Sequence, residues 1–245
     1  MKKLIALLVA LMMLGTAAAA MADVVTVAFN PEYPPFESVN GDQYEGYDVD
    51  LIKAVAEKAG FEIEFEAMDF DAVIAAVQAN PNTIGVSGIS ITDERKLSVD
   101  FSEGYINAGL IVVVKKDSGY ATTDDLKGKV IGVQMGTTSD FAAEEITGQE
   151  NTAKYKSFLN AIMELQGNKV DAVIVDAPVG QAILASMNDP SLIITDIDLG
   201  AADWYGIAVN KDNVELLEKI NAALAELKAE GFLDTLASKY FGSAE

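Results

Sequence analysis

The feature that most narrows what this chain can fold into is an alternation, kept up along its length, between short β-rich runs and segments of helical periodicity. Residues 24–29 form a compact apolar run. In residues 49–59, Val49, Ile52, Val55, Ala56 and Ala59 recur at helical spacing. Residues 61–65 alternate apolar and acidic side chains, as a half-buried strand does. Residues 71–80 read as a helix stopped at Pro81, and 84–89 and 109–114 as strands. After the polar stretch 115–119 the pattern restarts: strands at 129–134, 155–158, 170–175 and 193–194, helices at 139–146, 158–165 and 179–187. A strand at 205–209 and helices at 214–229 and 232–240 close the chain. Strands separated by crossover helices predict α/β lobes with mostly parallel sheets, and the restart in mid-sequence predicts two of them.

The first residues read as an address. Lys2 and Lys3 precede an unbroken apolar run over 4–14, and small residues lead to Ala20-Met21-Ala22, the form a signal peptidase accepts. The apolar run is shorter than the ~20 residues of a spanning helix. A cleaved signal peptide over 1–22 and a protein released to the periplasm are the expectation. Removing that leader with its two lysines takes the formal net charge from −21 to −23. A chain so acidic is repelled by phosphate backbones, so no nucleic-acid partner is expected.

Cys and His are both absent. That excludes a Ser-His-Asp triad, a cysteine nucleophile and a structural zinc site, which would draw on those side chains. No D-x-[DN]-x-[DN]-G calcium loop is present either. The chain is expected to use no metal and no cofactor, and to be no enzyme.

In open α/β sheets ligands sit beyond the carboxyl ends of strands, and several of these ends are polar here. The first is Asn30-Pro31-Glu32-Tyr33-Pro34-Pro35-Phe36, the second Ser87-Gly88-Ile89-Ser90-Ile91-Thr92-Asp93-Glu94-Arg95. In the second, Thr92 is a candidate N-cap with Arg95 in the first turn. Gln134-Met135-Gly136-Thr137-Thr138-Ser139 precedes a helix and offers backbone N–H groups to an anion. The fourth strand end is Asp176, just before Pro178. Together they supply a guanidinium, a carboxylate, amides, hydroxyls and aromatic walls. An amino acid zwitterion requires that set: a bidentate donor for its carboxylate, an acceptor for its ammonium, and walls for its side chain. Taken singly, Arg95 reads as a solvated surface charge, Asp176 as a helix N-cap, and Tyr33 and Phe70 as packing residues.

The chain resembles the polar amino acid-binding proteins of ABC importers, the family-3 solute-binding proteins, over residues 23–242. The resemblance is carried by Tyr33-Pro34-Pro35-Phe36, Gly46-Tyr47-Asp48-Val49-Asp50-Leu51, Gly88-Ile89-Ser90-Ile91-Thr92-Asp93-Glu94-Arg95-Lys96, Asp100-Phe101-Ser102, Gly128-Lys129-Val130-Ile131-Gly132-Val133, and Val170-Asp171-Ala172-Val173-Ile174-Val175-Asp176. It implies a type II bilobal fold, with lobe 1 formed by 23–108 plus 202–245, lobe 2 by 109–201, and a two-strand hinge between them. It implies that Arg95 clamps a ligand carboxylate with help from Ser90 and Thr138. Asp176 would accept the α-ammonium, with Ser90 and the carbonyls of Ser87 and Gly88. Tyr33 and Phe70 would wall the ligand side chain, while Asn30 and Gln134 would read its tip.

A free amino acid of the glutamine, arginine or lysine class and an inner-membrane ABC permease are the implied partners of a monomer. Asn30 stands where many relatives for basic ligands or glutamine carry Asp, which weakens attraction for a cation, and Glu32 could compensate. Thr83 also stands where Asp is usual. The main alternative is an enzyme on the same scaffold, similar to cyclohexadienyl dehydratases, with Glu32 as its acid. A chemosensory receptor module is a third reading, disfavoured because no second anchor follows.

Overall fold

The computed structural model describes residues 24–200 and 203–242; the expected signal peptide lies outside them. Two five-stranded sheets organise the chain. The first has the order β4-β1-β5-β14-β6, from Glu62–Ala67, Val24–Phe29, Thr83–Gly85, Ala208–Val209 and Asp100–Phe101. The second has the order β10-β9-β11-β8-β12, from Thr152–Tyr155, Ile131–Gln134, Ala172–Asp176, Leu110–Lys115 and Leu192–Ile194. In each, the central strands are parallel and connected through helices. The sheets are mixed rather than mostly parallel. β14 enters the first sheet antiparallel to β5, and β8 enters the second antiparallel to β11, because each arrives directly after a crossing from the other half.

The crossings pair with each other. β7 (Ile106–Ala108) and β13 (Asp203–Tyr205) form an antiparallel two-stranded ladder with Asp203 opposite Ala108 and Tyr205 opposite Ile106. The strand expected over 205–209 is therefore two strands, broken at Gly206 and Ile207, one in the ladder and one in the sheet. Other shifts have local causes. The strand expected over 84–89 stops at Gly85, because Gly88 takes φ +55° and turns the chain. The strand expected at 155–158 is Thr152–Tyr155, because Ser157 caps the next helix by accepting the Asn160 N–H. The hairpin of β2 (Ser38–Asn40) with β3 (Gln43–Glu45) carried too few apolar residues to be read from periodicity.

Helices cover both faces of each sheet. α1 (Tyr47–Ala59) buries Leu51, Ile52, Val55 and Ala56 on one stripe and ends at Gly60 in the left-handed conformation. α2 (Phe70–Ala79) packs Val73 and Val77 on the opposite face of the first sheet. In the second half α3 (Thr138–Thr147) lies on one face, and α4 (Phe158–Gln166) and α5 (Ala177–Met187) on the other. α6 (Val214–Ala229) and α7 (Phe232–Phe241) return to cover α1. The largest cluster of buried apolar side chains is continuous between the halves, and Tyr33 meets Phe158 with ring centroids 5.9 Å apart. No helix among the described residues is long and apolar enough to cross a membrane.

Two glycines of α1 separate backbone strain from steric blockage. At Gly46, φ is +141° and an added Cβ would lie 2.0 Å from the Phe36 carbonyl oxygen, a backbone atom that cannot step aside. At Gly60, φ is +77° with open space around it. Gly46→Ala should cost about 3 kcal/mol or more, and Gly60→Ala about 1–2 kcal/mol, in the unfolding free energy from urea titration.

Candidate functional site

Five segments at the carboxyl ends of β1, β4, β5, β9 and β11 meet in the gap between the two sheets. The residues facing one another there are Tyr33, Phe70, Gly88, Ser90 and Arg95 from the first half, and Thr137, Thr138 and Asp176 from the second. The pocket they line is pinched shut, with essentially no volume open to a water-sized sphere.

Arg95 opens a short 3-10 turn, where its N–H donates to Thr92 Oγ1 at 3.2 Å. Its side chain does not run to solvent: the residue is 8% exposed. Nη1 donates to the Ser90 carbonyl at 2.8 Å, and Nη2 reaches across to the Gly136 carbonyl at 3.0 Å. The guanidinium lies over the Phe70 ring, 5.5 Å from its centroid, a favourable position for a cation. Burial pushes its pKa down, and the charge of Asp176 opposes that.

Asp176 ends β11 at the N-cap position of α5, with Pro178 in the first turn, yet its side chain makes no capping hydrogen bond. It is 3% exposed and faces the pocket instead. Burial raises its pKa, while the Tyr205 and Tyr33 hydroxyls and then Arg95 pull it down. Those hydroxyls are 2.9 Å apart and bonded to each other. Burial, then the charge of Asp176, holds the Tyr33 phenol well above its ordinary value. Arg95 and Asp176 line one pocket without forming an ion pair, so two opposite buried charges face a common gap.

The remaining walls follow from local chemistry. Gly88 must be glycine, since a Cβ would lie 2.4 Å from Tyr33 Cε1. Thr137 caps α3: its Oγ1 accepts the Asp140 N–H at 3.3 Å and donates to the Gln134 carbonyl at 2.7 Å. Asp140 closes the turn by accepting the Gly136 N–H at 3.0 Å. The N–H groups of Thr138 and Ser139 thus open a helix, where they have no intrahelical acceptor and an anion is favoured.

Of the ten residues singled out in the sequence, seven line this pocket; Asn30, Ser87 and Gln134 do not. Asn30 Nδ2 donates to the Met68 carbonyl at 3.0 Å, and its Oδ1 accepts from the Glu32 N–H at 3.2 Å. Gln134 Nε2 donates to the Lys156 carbonyl at 2.8 Å and stands 3.5 Å from Asn30 Oδ1. Ser87 is fully buried behind the loop and accepts the Asn30 N–H at 2.9 Å. Glu32 is exposed. Thr83 is buried within β5 beside β1, a packing position away from the pocket. Thr137 was read only as part of the turn before the helix and not as a site residue, and Tyr205 was not singled out. Thr137 carried a usable signal, a threonine three residues before Asp140 at a helix start, whereas Tyr205 returns from the second crossing with no local mark. A larger cavity of about 690 Å³ lies between α6 and residues 103–105, but alanine and leucine dominate it and it gathers no opposed buried charges.

The family model described as bacterial extracellular solute-binding proteins, family 3, matches residues 25–243. The arginine-binding extracellular protein ArtP of Bacillus subtilis is 37% identical over 213 residues, 86% of this chain and 83% of that one. Among solved structures, the arginine-, lysine-, histidine-binding protein ArtJ from Geobacillus stearothermophilus superposes with a TM-score of 0.86 at 35% identity, covering 91% of this chain and 97% of that one. An ancestral arginine-binding protein bound to glutamine gives a TM-score of 0.84 at 38% identity, covering 91% and 100%.

A raised carboxyl pKa means that the folded chain binds more protons than the unfolded one. The fold is then most stable below the unfolded pKa, and loses stability as pH rises through the folded value. Asp176→Asn, which keeps the shape and removes the charge, is expected to raise the unfolding free energy at neutral pH, as read by chemical denaturation without ligand.

Proposed function

The chain belongs to the bacterial extracellular solute-binding proteins of family 3, and from that premise we propose that it captures a polar L-amino acid for an ABC importer. The observation that carries this reading is the facing of Arg95 and Asp176 across one buried pocket without an ion pair. A zwitterion supplies the two charges such a pocket lacks. Its carboxylate meets the Arg95 guanidinium, the Ser90 backbone and the N–H groups at the start of α3. Its ammonium meets Asp176 and the Gly88 carbonyl, with the Tyr33–Tyr205 hydroxyl pair alongside. Tyr33 and Phe70 flank its side chain. Asn30 and Gln134, adjacent to each other behind this chamber, read the tip once a longer side chain separates them.

The ligand class is arginine, lysine or glutamine, and the names of the relatives support it: one is called arginine-binding, another arginine-, lysine- and histidine-binding, and a third is bound to glutamine. Residues 1–22 are a signal peptide that sends the protein to the periplasm. Residues 23–108 and 202–245 form lobe 1, and 109–201 form lobe 2. Contacts from both lobes to one ligand favour the closed form, which a monomer presents to the inner-membrane permease. Reaction chemistry on this scaffold is disfavoured: the relatives are named as binding proteins, and Glu32, the acid it would use, is exposed and outside the pocket.

A thermal-shift screen of the refolded mature protein against the common amino acids tests the reading. A ligand at ~100 times its Kd should add about 2.7 kcal/mol of stability, and no response to any polar amino acid would refute it. Removing one partner strands a buried charge, so Arg95→Ala and Asp176→Ala should each lose about 3–5 kcal/mol of binding by calorimetry. Ligand ammonium favours ionised Asp176, so affinity should fall as pH is lowered through its raised pKa.

A further inference from the structure

The loop that carries Gly88 and Ser90 is held from behind by two carboxyl groups. Glu37 follows the 33–36 turn and is fully buried; Asp48, in the first turn of α1, is 1% exposed. Asp48 Oδ2 accepts the Gly88 N–H at 2.8 Å and the Tyr105 hydroxyl at 2.8 Å. None of the other three oxygens, Glu37 Oε1 and Oε2 and Asp48 Oδ1, completes a hydrogen bond, although the Ser87 hydroxyl stands beside Glu37. The Asp48 N–H donates to the Phe36 carbonyl at 3.1 Å, which sets Asp48 beside Glu37, and the two carboxyl groups act on one another. Two buried carboxylates in contact cannot both be ionised, and a carboxylate without donors is costly even singly. One proton resolves both problems: Glu37, as the acid, donates to Asp48 Oδ1, and Asp48 remains the anion that receives Gly88 and Tyr105.

We propose that Glu37 and Asp48 hold one proton between them, and that this pair is the positioning device that sets the ligand-facing 87–90 loop. The proposal rests on the reading of the pocket given above. Gly88 and Ser90 line that pocket, and the Ser90 carbonyl anchors Arg95, so a shift of the loop moves both ends of the charge arrangement. The groups facing the pair are the Ser87 hydroxyl, the Tyr33 phenol from the loop after β1, Tyr47 from α1 and Tyr105 from the approach to β7, with Asp234 of α7 acting on Tyr47. Burial, reinforced by Asp48, holds the Glu37 carboxyl well above its usual range, and burial pushes Asp48 up to about 6. The pair holds its one proton between about pH 6, where Asp48 takes up a second, and the higher pKa of Glu37; the arrangement fails as pH rises through the pKa of Glu37.

Glu37→Gln keeps an N–H donor toward Asp48 and removes the titrating proton. In the ligand-free protein near neutral pH, the infrared difference between wild type and Glu37→Gln should contain the C=O stretch of a protonated carboxyl; its absence overturns the shared proton. The Gly88 amide resonance should move with the same alkaline midpoint in wild type and hold still in Glu37→Gln; a resonance that does not respond in wild type overturns the positioning role. Both readouts are independent of whether an amino acid binds. With ligand, the wild-type to Glu37→Gln affinity ratio should fall about tenfold per pH unit above that midpoint, while the ligand's own titration cancels. A constant ratio again overturns the positioning role. Should Glu37→Gln not fold, Asp48→Asn should shift that infrared band without removing it, because burial keeps Glu37 protonated while its hydrogen bond passes from a carboxylate to an amide oxygen; a band left where it was overturns the shared proton.

Discussion

The structure depends on two opposite charges that are buried, share one pocket and are kept from pairing. Arg95 is restrained by the Ser90 and Gly136 carbonyls and by the face of Phe70. Asp176 is restrained by its place at the end of β11 and by the hydroxyls of Tyr205 and Tyr33. Each is thereby partly solvated by fixed dipoles rather than by the other charge. Had they closed into an ion pair, the gap would carry little residual field. Held apart, they leave a dipolar slot whose natural complement is a molecule with a negative and a positive end.

That arrangement draws on both halves of the chain. Parallel strands aim their carboxyl ends at the same gap, so β1, β4, β5, β9 and β11 deliver five segments to one place. The ladder of β7 with β13 lets the halves remain two bodies while keeping those ends opposed. Cross-gap contacts then set the spacing: Arg95 to Gly136, Gln134 beside Asn30, the Tyr33 and Phe158 rings, and at the rim Lys156 with Asp69 at 2.7 Å. The last is exposed on both sides and contributes little by itself.

Stability and recognition pull in opposite directions at these loops. Asp176, Asp48 and Glu37 are all buried carboxyl groups whose pKa values are raised, so the fold would be steadier with each of them neutral. Only Asp176 opens on the pocket; the other two stand behind Gly88. Costs of this kind are the usual sign of a site maintained against the preference of the fold.

Much of this was legible in one dimension. Helical spacing in residues 49–59 and apolar alternation at 61–65 depend on neighbours a few residues away, so they register in the chain itself. The strand-end rule then located Arg95, Asp176 and the Gly136-Thr137-Thr138 turn, because it needs only strand order and polarity. Whether Arg95 was a solvated charge, or Asp176 merely a cap, was not decidable there; burial and the missing capping bond are properties of packing. Tyr205 joining Tyr33, and Glu37 meeting Asp48 behind Gly88, were decided only by the tertiary structure. Those contacts link segments brought together by two crossings between sheets, and no local periodicity encodes a distance between residues that the chain itself does not keep close.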